Sequence, residues 1–173
     1  GRQEAGRRSG TLDVPGIVGM AKALELSMQD MQAEAEALNP GFIKRMRNGR
    51  PYVRGKLAMS MDGRTALASG ESKWITGPAA REDVHRLRAR SSAVMTGIGT
   101  VLADDPSLTA RLEGHDAGAL LQPLRVVLDS EARMPADARM LRLPGRTLVC
   151  VGEAAPGVAL DALRSAGAEI QML

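Results

Sequence analysis

The sequence predicts an α/β domain built on a mostly parallel sheet flanked by helices, with an amphipathic helix ahead of it. Three observations lead there. Short apolar runs, AVMTG at 93–97, LRVVLD at 124–129 and TLVCV at 147–151, alternate with helical patterns. Strands that alternate with helices are joined by crossovers and so pair in parallel. Between residues 13 and 40 the apolar positions recur at helical spacing with no breaker. Polar groups also gather where the apolar runs end, which is where ligands bind in α/β sheets.

Composition narrows the class. A chain of 173 residues makes about one domain with an appendage. Its 44% hydrophobic and 25% charged residues are ordinary for a globular protein. The only aromatics are Phe42, Tyr52 and Trp74, so the core must be aliphatic. The single Cys150 excludes an internal disulfide and a thiol-rich metal site, and within TLVCV it reads as a buried thiol. No run approaches the roughly 20 apolar residues of a membrane span, and no signal peptide is visible, so a cytoplasmic protein is expected. The net charge of +3 comes with scattered Arg rather than a Lys/Arg block, which argues against nucleic acid and for a small anionic ligand such as a phosphate ester. His85 and His115 sit in unlike settings, and no metal site is expected.

Taken in order, residues 1–12 are polar and rich in Gly and Arg, and Asp13 and Pro15 supply helix-start chemistry. Ile17, Met20, Ala21, Leu24, Met28 and Met31 then mark one face of a helix over about 15–38, its methionines serving packing. A turn at Asn39-Pro40-Gly41 leads into a short basic helix at 42–46. Pro51 to Ser60 reads as the first strand, with Tyr52, Arg54 and Lys56 on one side and Val53, Gly55, Leu57 and Met59 on the other. A turn-rich stretch carries Asp62-Gly63 and Ser69-Gly70 into a helix over 78–89, begun by Gly77-Pro78. There Ala80, Val84 and Leu87 form the buried stripe, with Arg81, His85 and Arg88 as a basic edge and His85 in a structural role. After the strand at 93–97 comes Gly97-Ile98-Gly99-Thr100, which lacks the third glycine of a dinucleotide fingerprint because Leu102 stands there. Gly97 and Gly99 still suit backbone approach to a pyrophosphate. Asp104-Asp105-Pro106 stops the next helix, 112–122 is a loop, 156–166 is a helix and 169–173 begins a last strand.

Two resemblances attach to these residues. GRQEAGRRSGTLDVPGIVGMAKALEL, over about 1–30, resembles the Arg-Ser-Gly-Thr segment of cysteine desulfurases, which would make Arg8 a carboxylate-binding residue. The cofactor-lysine and catalytic-cysteine regions of that family are absent, so no desulfurase activity is expected. The stretch LNPGFIKRMRNGRPYVRGKLAMSMDGRTALASGESKWITG, continuing through HRLRARSSAVMTGIGTVLADDPSLTAR and PLRVVLDSEARMP, resembles the reductase domain of the bacterial bifunctional riboflavin-biosynthesis deaminase/reductase over residues 31–173. The resemblance implies a dihydrofolate-reductase-like fold. It also implies NADPH-dependent reduction of a 5-amino-6-(5-phosphoribosylamino)uracil to its ribitylamino product.

Carried onto this chain, the family pattern assigns Ala58, Trp74, Thr100, Asp104 and Ser130 to the cofactor, joined by Gly97 and Gly99 on chemical grounds. It assigns Ser72, Arg88, Leu108 and Arg111 to the substrate, with Arg88 and Arg111 clamping its phosphate. Lys56 and Asp62 are the expected catalytic pair lining the pocket, with Lys56 or Asp104 as proton or charge partner; the bland alternative is a strand-end turn with Lys56 reaching solvent. The family's Glu-Gly-Gly-Pro-like segment and its deaminase domain have no counterpart here, so the chain reads as two joined fragments whose incomplete sheet favours dimerisation. A binding-only or inactive piece of the reductase is the competing expectation. A third reading, an interaction protein, would dock a partner on the Met-rich helix.

Overall fold

The computed structural model describes residues 2–3, 8–9, 14–72, 75–115 and 120–173, with side chains from residue 20 onward except 29, 30, 32, 35 and 36. The chain divides into two compact units, Gly1–Leu57 and Ala58–Leu173.

In the first unit, β1 (Arg2–Gln3) and β2 (Arg8–Ser9) pair antiparallel, Arg2 opposite Ser9. The Arg8 side chain lies outside the described residues. Helix α1 runs from Val14 to Leu38, close to the expected 15–38, and so is continuous through residue 30, where the two resemblances were expected to meet. Its methionines do not pack as expected: Met20, Leu24, Met28 and Met31 are all exposed. Helix α2 (Pro40–Asn48) starts with Pro40 in its first turn, where the missing N–H costs nothing. Gly49 ends it in the left-handed conformation, φ 65°, donating its N–H to the Arg45 carbonyl at 2.8 Å.

The expected strand at 51–60 is absent, and Lys56 is an exposed residue of irregular backbone. A strand exists only where a neighbour takes up its N–H and C=O groups, and among the described residues no ladder includes 51–60. Pro51 removes a donor and Gly55 weakens the run further. The side chains settle locally instead. The Tyr52 ring has Lys44 Nζ 5.8 Å and Arg54 Cζ 5.4 Å from its centre.

The second unit holds the sheet. Strands β3 (Ala93–Gly97), β4 (Leu124–Leu128), β5 (Thr147–Val151) and β6 (Glu169–Met172) pair in sequence order, every pair parallel. The crossovers carry α4 (Ile98–Asp104), a 3-10 turn at Arg139–Arg142 and α5 (Gly157–Ser165), while α3 (Pro78–Ala89) precedes β3. Ile98 and Val101 of α4, Leu160 and Leu163 of α5, and Met140 close one core with Val127, Val149 and Val151. Burying each such aliphatic side chain contributes about 1.5–3 kcal/mol.

The register places Met95, Val126 and Leu148 on the opposite face. There Met95 and Leu128 are exposed at 63% and 44%, while Cys150 is buried as expected. Two expectations need correction. Strand β3 is half exposed rather than buried, and among the described residues it pairs with β4 alone. Ala80 is exposed, and within the expected stripe Val84 and Leu87 are only partly covered.

Candidate active site

Three of the four residues expected to bind substrate, Arg88, Leu108 and Arg111, come together first. Gly77 enters α3 with extended backbone (φ −68°, ψ 171°) and Pro78 takes the first helical turn. The Arg81 guanidinium folds back onto the Thr76 carbonyl, bracing that entry. One turn further on, His85 and Arg88 face the loop after α4. Asp105 stops that helix in the left-handed region (φ 39°), and its Oδ1 accepts from the Arg139 N–H at 2.8 Å.

The loop then makes a second, costlier left-handed step at Leu108, φ 51°. A branched residue there is strained, and burial of its side chain offsets the strain. The side chain of Gln122 pins the next residues: the Ala110 N–H donates to Oε1 at 2.8 Å, and Nε2 donates to the Ala110 carbonyl at 3.1 Å. The Thr109 carbonyl accepts from Arg88 Nη1 at 3.3 Å and lies 3.2 Å from His85 Nδ1. Arg111 Nη2 lies 3.3 Å from His85 Nε2. Arg88, Leu108 and Arg111 are therefore held as one cluster. Arg88 has its guanidinium pKa lowered by burial and by the nearby Arg111 charge, and His85 is lowered by burial, then by Arg111 and Arg88. Two cations this close, one of them partly buried, favour an anion between them.

Gly97, Thr100 and Ser130 gather elsewhere, at the C-terminal ends of the strands. Gly97 is level with Leu128 across the ladder, and Thr100 follows in α4. The Ser130 carbonyl accepts from the Gly152 N–H at 3.0 Å. A Cβ at Gly152 would sit 3.1 Å from that oxygen, so the close approach calls for glycine. No side chain lies within 4 Å of where a Cβ on Gly97 or Gly99 would point. The buried Asp129 shapes this corner by accepting from the Met134 N–H at 2.8 Å.

The two groups do not form one site. The arginine cluster lies at the other edge of the sheet, since Gln122 just precedes β4 and Leu124 N–H bonds Ser92 just before β3. Five strand residues separate the edges, roughly 16 Å at 3.3 Å each. Asp62 lies in an exposed turn and Ser72 in a separate exposed, irregular stretch. Asp62 accepts from Ser60 Oγ and from Arg64 Nε, in a turn closed by the Ser60 N–H to Arg64 carbonyl bond at 2.9 Å. The Ser60 hydroxyl, then its own backbone, hold the Asp62 carboxyl below its usual range, so it is a charged acceptor at neutral pH and not a proton donor. Ala58 is half-buried at the start of the second unit, Asp104 is the exposed last residue of α4, and Trp74 lies outside the described residues. Among the described residues no group of His, Cys, Asp and Glu could hold a metal ion, and no helix is long and apolar enough to cross a membrane.

Sequence reasoning missed Gln122 and Thr109. Neither carries a pattern, because Gln122 acts through a backbone pairing and Thr109 through a carbonyl that every residue has.

Comparison with known proteins follows the same residues. Positions 51–171 match the family model described as the RibD C-terminal domain. The chain is similar to the riboflavin biosynthesis protein RibD of Escherichia coli, 50% identical over 132 residues that are 72% of this chain and 36% of that protein. Among solved structures it is similar to Acinetobacter baumannii RibD (TM-score 0.68, 46% identity, 80% of this chain and 38% of that one). It is also similar to a Thermotoga maritima protein described as a diaminohydroxyphosphoribosylaminopyrimidine deaminase/5-amino-6-(5-phosphoribosylamino)uracil reductase (TM-score 0.63, 30% identity, 82% of this chain and 44% of that one). The chain thus spans little more than a third of the length of the RibD relatives it matches. The four parallel strands with flanking helices are the predicted dihydrofolate-reductase-like α/β class. The cysteine-desulfurase resemblance of residues 1–30 gains no support, since the family match begins at residue 51 and these relatives are RibD proteins.

Proposed function

The chain belongs to the RibD C-terminal domain family, and on that premise we propose that it is the reductase part of such a protein. It would reduce 5-amino-6-(5-phosphoribosylamino)uracil to the ribitylamino product with NADPH, in the cytoplasm. Residues 31–173 are the proposed reductase portion, and residues 1–30 are given no chemistry. One observation carries the reading: Arg88 and Arg111, 23 positions apart in sequence, are gathered around the Thr109 carbonyl and His85, where a phosphate dianion would satisfy both.

The C-terminal edge of the sheet fits the cofactor. Gly97 and Gly99 leave their surroundings clear, and Thr100 and the exposed Ser130 add hydroxyls at the ends of parallel strands. When bound, NADPH would supply the hydride that reduces the ribosyl group. This chain's residues would orient the partners: the arginines would fix the phosphate, with Leu108 assigned to the substrate beside them. Because the clamp and the glycine edge are roughly a strand length apart, the proposal has the nicotinamide end, not the cofactor's phosphates, meet the substrate. Trp74 and Ala58 belong to that end, and Ser72 and Asp62 to the substrate side, with Asp62 as an acceptor. Lys56 and Asp104 are the two proposed proton or charge partners.

Steady-state NADPH oxidation tests this assignment. Arg88→Ala and Arg111→Ala are expected to raise KM for the phosphorylated substrate about tenfold or more and to spare the non-phosphorylated analogue. Equal effects on both substrates would refute the clamp. In the same assay Lys56→Ala is expected to lower kcat, and unchanged turnover would remove Lys56 from the proposal.

A further inference from the structure

His85 has no assigned role in the reading above, yet it stands between the two arginines and touches the loop that carries one of them. Its chemistry is fixed by its neighbours. A backbone carbonyl has no proton to give, so the contact of 3.2 Å between Nδ1 and the Thr109 oxygen is a hydrogen bond only if Nδ1 carries the proton. A guanidinium has no lone pair to offer, so the contact of 3.3 Å between Arg111 Nη2 and Nε2 requires Nε2 to be the acceptor. Both conditions hold in one state, the neutral ring protonated at Nδ1. The other tautomer would break both contacts, and the imidazolium would break the one to Arg111.

We propose that His85 is a positioning residue of the phosphate clamp: its neutral ring, oriented by Thr109, accepts from Arg111 and holds that guanidinium beside Arg88. The inference rests on the clamp reading and deepens it. Arg111 is exposed, and a long exposed side chain is mobile unless something holds it. The ring supplies that hold without neutralising the charge, as a carboxylate would, so the cation stays available to an anion. Arg88 reaches the same Thr109 carbonyl from the same helix. Gln122 fixes Ala110, between the carbonyl that orients the ring and the arginine that the ring orients. The charged groups facing the ring are Arg88 from α3 and Arg111 from the loop, and both oppose its protonation, as does its burial.

The test separates this role from plain support of the fold. Asn at position 85 can place an N–H where Nδ1 lies but offers Arg111 no acceptor. Gln can place an oxygen where Nε2 lies. Ribose 5-phosphate and ribose serve as probes, titrated calorimetrically against the whole chain. Wild type is expected to prefer ribose 5-phosphate. His85→Asn should weaken that binding about tenfold, the loss of one charge-assisted hydrogen bond, while leaving the thermal midpoint near wild type. His85→Gln should retain most of the affinity. Long-range proton–nitrogen NMR spectra of the wild type, assigned with a His115 variant, should show His85 protonated at Nδ1. A wild type that does not distinguish the two sugars would overturn the clamp and this role together. Phosphate binding that Arg111→Ala abolishes but His85→Asn leaves intact would overturn the role of His85 alone. A proton found on Nε2 would do the same.

Discussion

At the scale of single residues, the cluster of His85, Arg88 and Arg111 makes stability depend on pH. The His85 pKa is lowered in the folded chain, by burial first and then by Arg111 and Arg88. The unfolded chain therefore takes up the proton first as pH falls, and the fold loses stability from the ordinary histidine value of about 6.5 downward, until the folded ring is also protonated. Above that value the contribution is constant. Thermal unfolding followed between about pH 7 and pH 5 is expected to fall more steeply for wild type than for His85→Gln. Parallel slopes would show that the ring titrates as freely in the folded chain as in the unfolded one. The arginines themselves were legible in the sequence, from spacing and family pattern. What was not legible is the partner that organises them, because a histidine on a helix edge looks alike whether it faces water or a loop 24 residues away.

At the scale of elements, helices and strands that bury one face were readable to within one or two residues. Helix α3 and strands β3 and β5 fall where the apolar pattern puts them, and α4 stops at Asp105 as the Asp-Asp-Pro signal indicates. The failure at 51–60 has a plain cause. Period-two alternation states which side chains share a face, but says nothing of a neighbour for the backbone. The loops also depend on one another in ways that no local pattern records. Gly145, with φ 103°, leads into β5, and a Cβ there would stand 2.9 Å from Cβ of Gln122, whose amide holds Ala110. Gly145→Ala is thus expected to destabilise the fold by about 1–3 kcal/mol, through both the left-handed backbone and the contact. It should also weaken phosphate binding, because Gln122 is displaced. Denaturant unfolding beside a ribose 5-phosphate titration checks both. A loss of stability with unchanged phosphate affinity would mean that Gln122 does not hold the clamp.

At the scale of the whole molecule, the chain carries two units, and the match to the RibD C-terminal domain, residues 51–171, covers nearly all of the second and the end of the first. A parallel sheet normally has both faces covered. Here the helices close one face, while Met95 and Leu128 on the other are exposed. The sequence foretold the sheet's class and its parallel pairing, because strands that alternate with helices are joined by crossovers; the order of the strands comes from the structure. It did not foretell that the arginine cluster and the glycine edge would lie at opposite ends of β4, since that depends on which way the 105–123 connection returns. The two edges are proposed to serve one reduction. The direct measurement is turnover: the purified, folded chain is mixed with NADPH and 5-amino-6-(5-phosphoribosylamino)uracil, and cofactor oxidation and product are both followed. One ribitylamino product is expected for each NADPH oxidised, with NADH a poorer donor. A chain that is folded by circular dichroism and binds ribose 5-phosphate, yet oxidises no NADPH with this substrate, would contradict it.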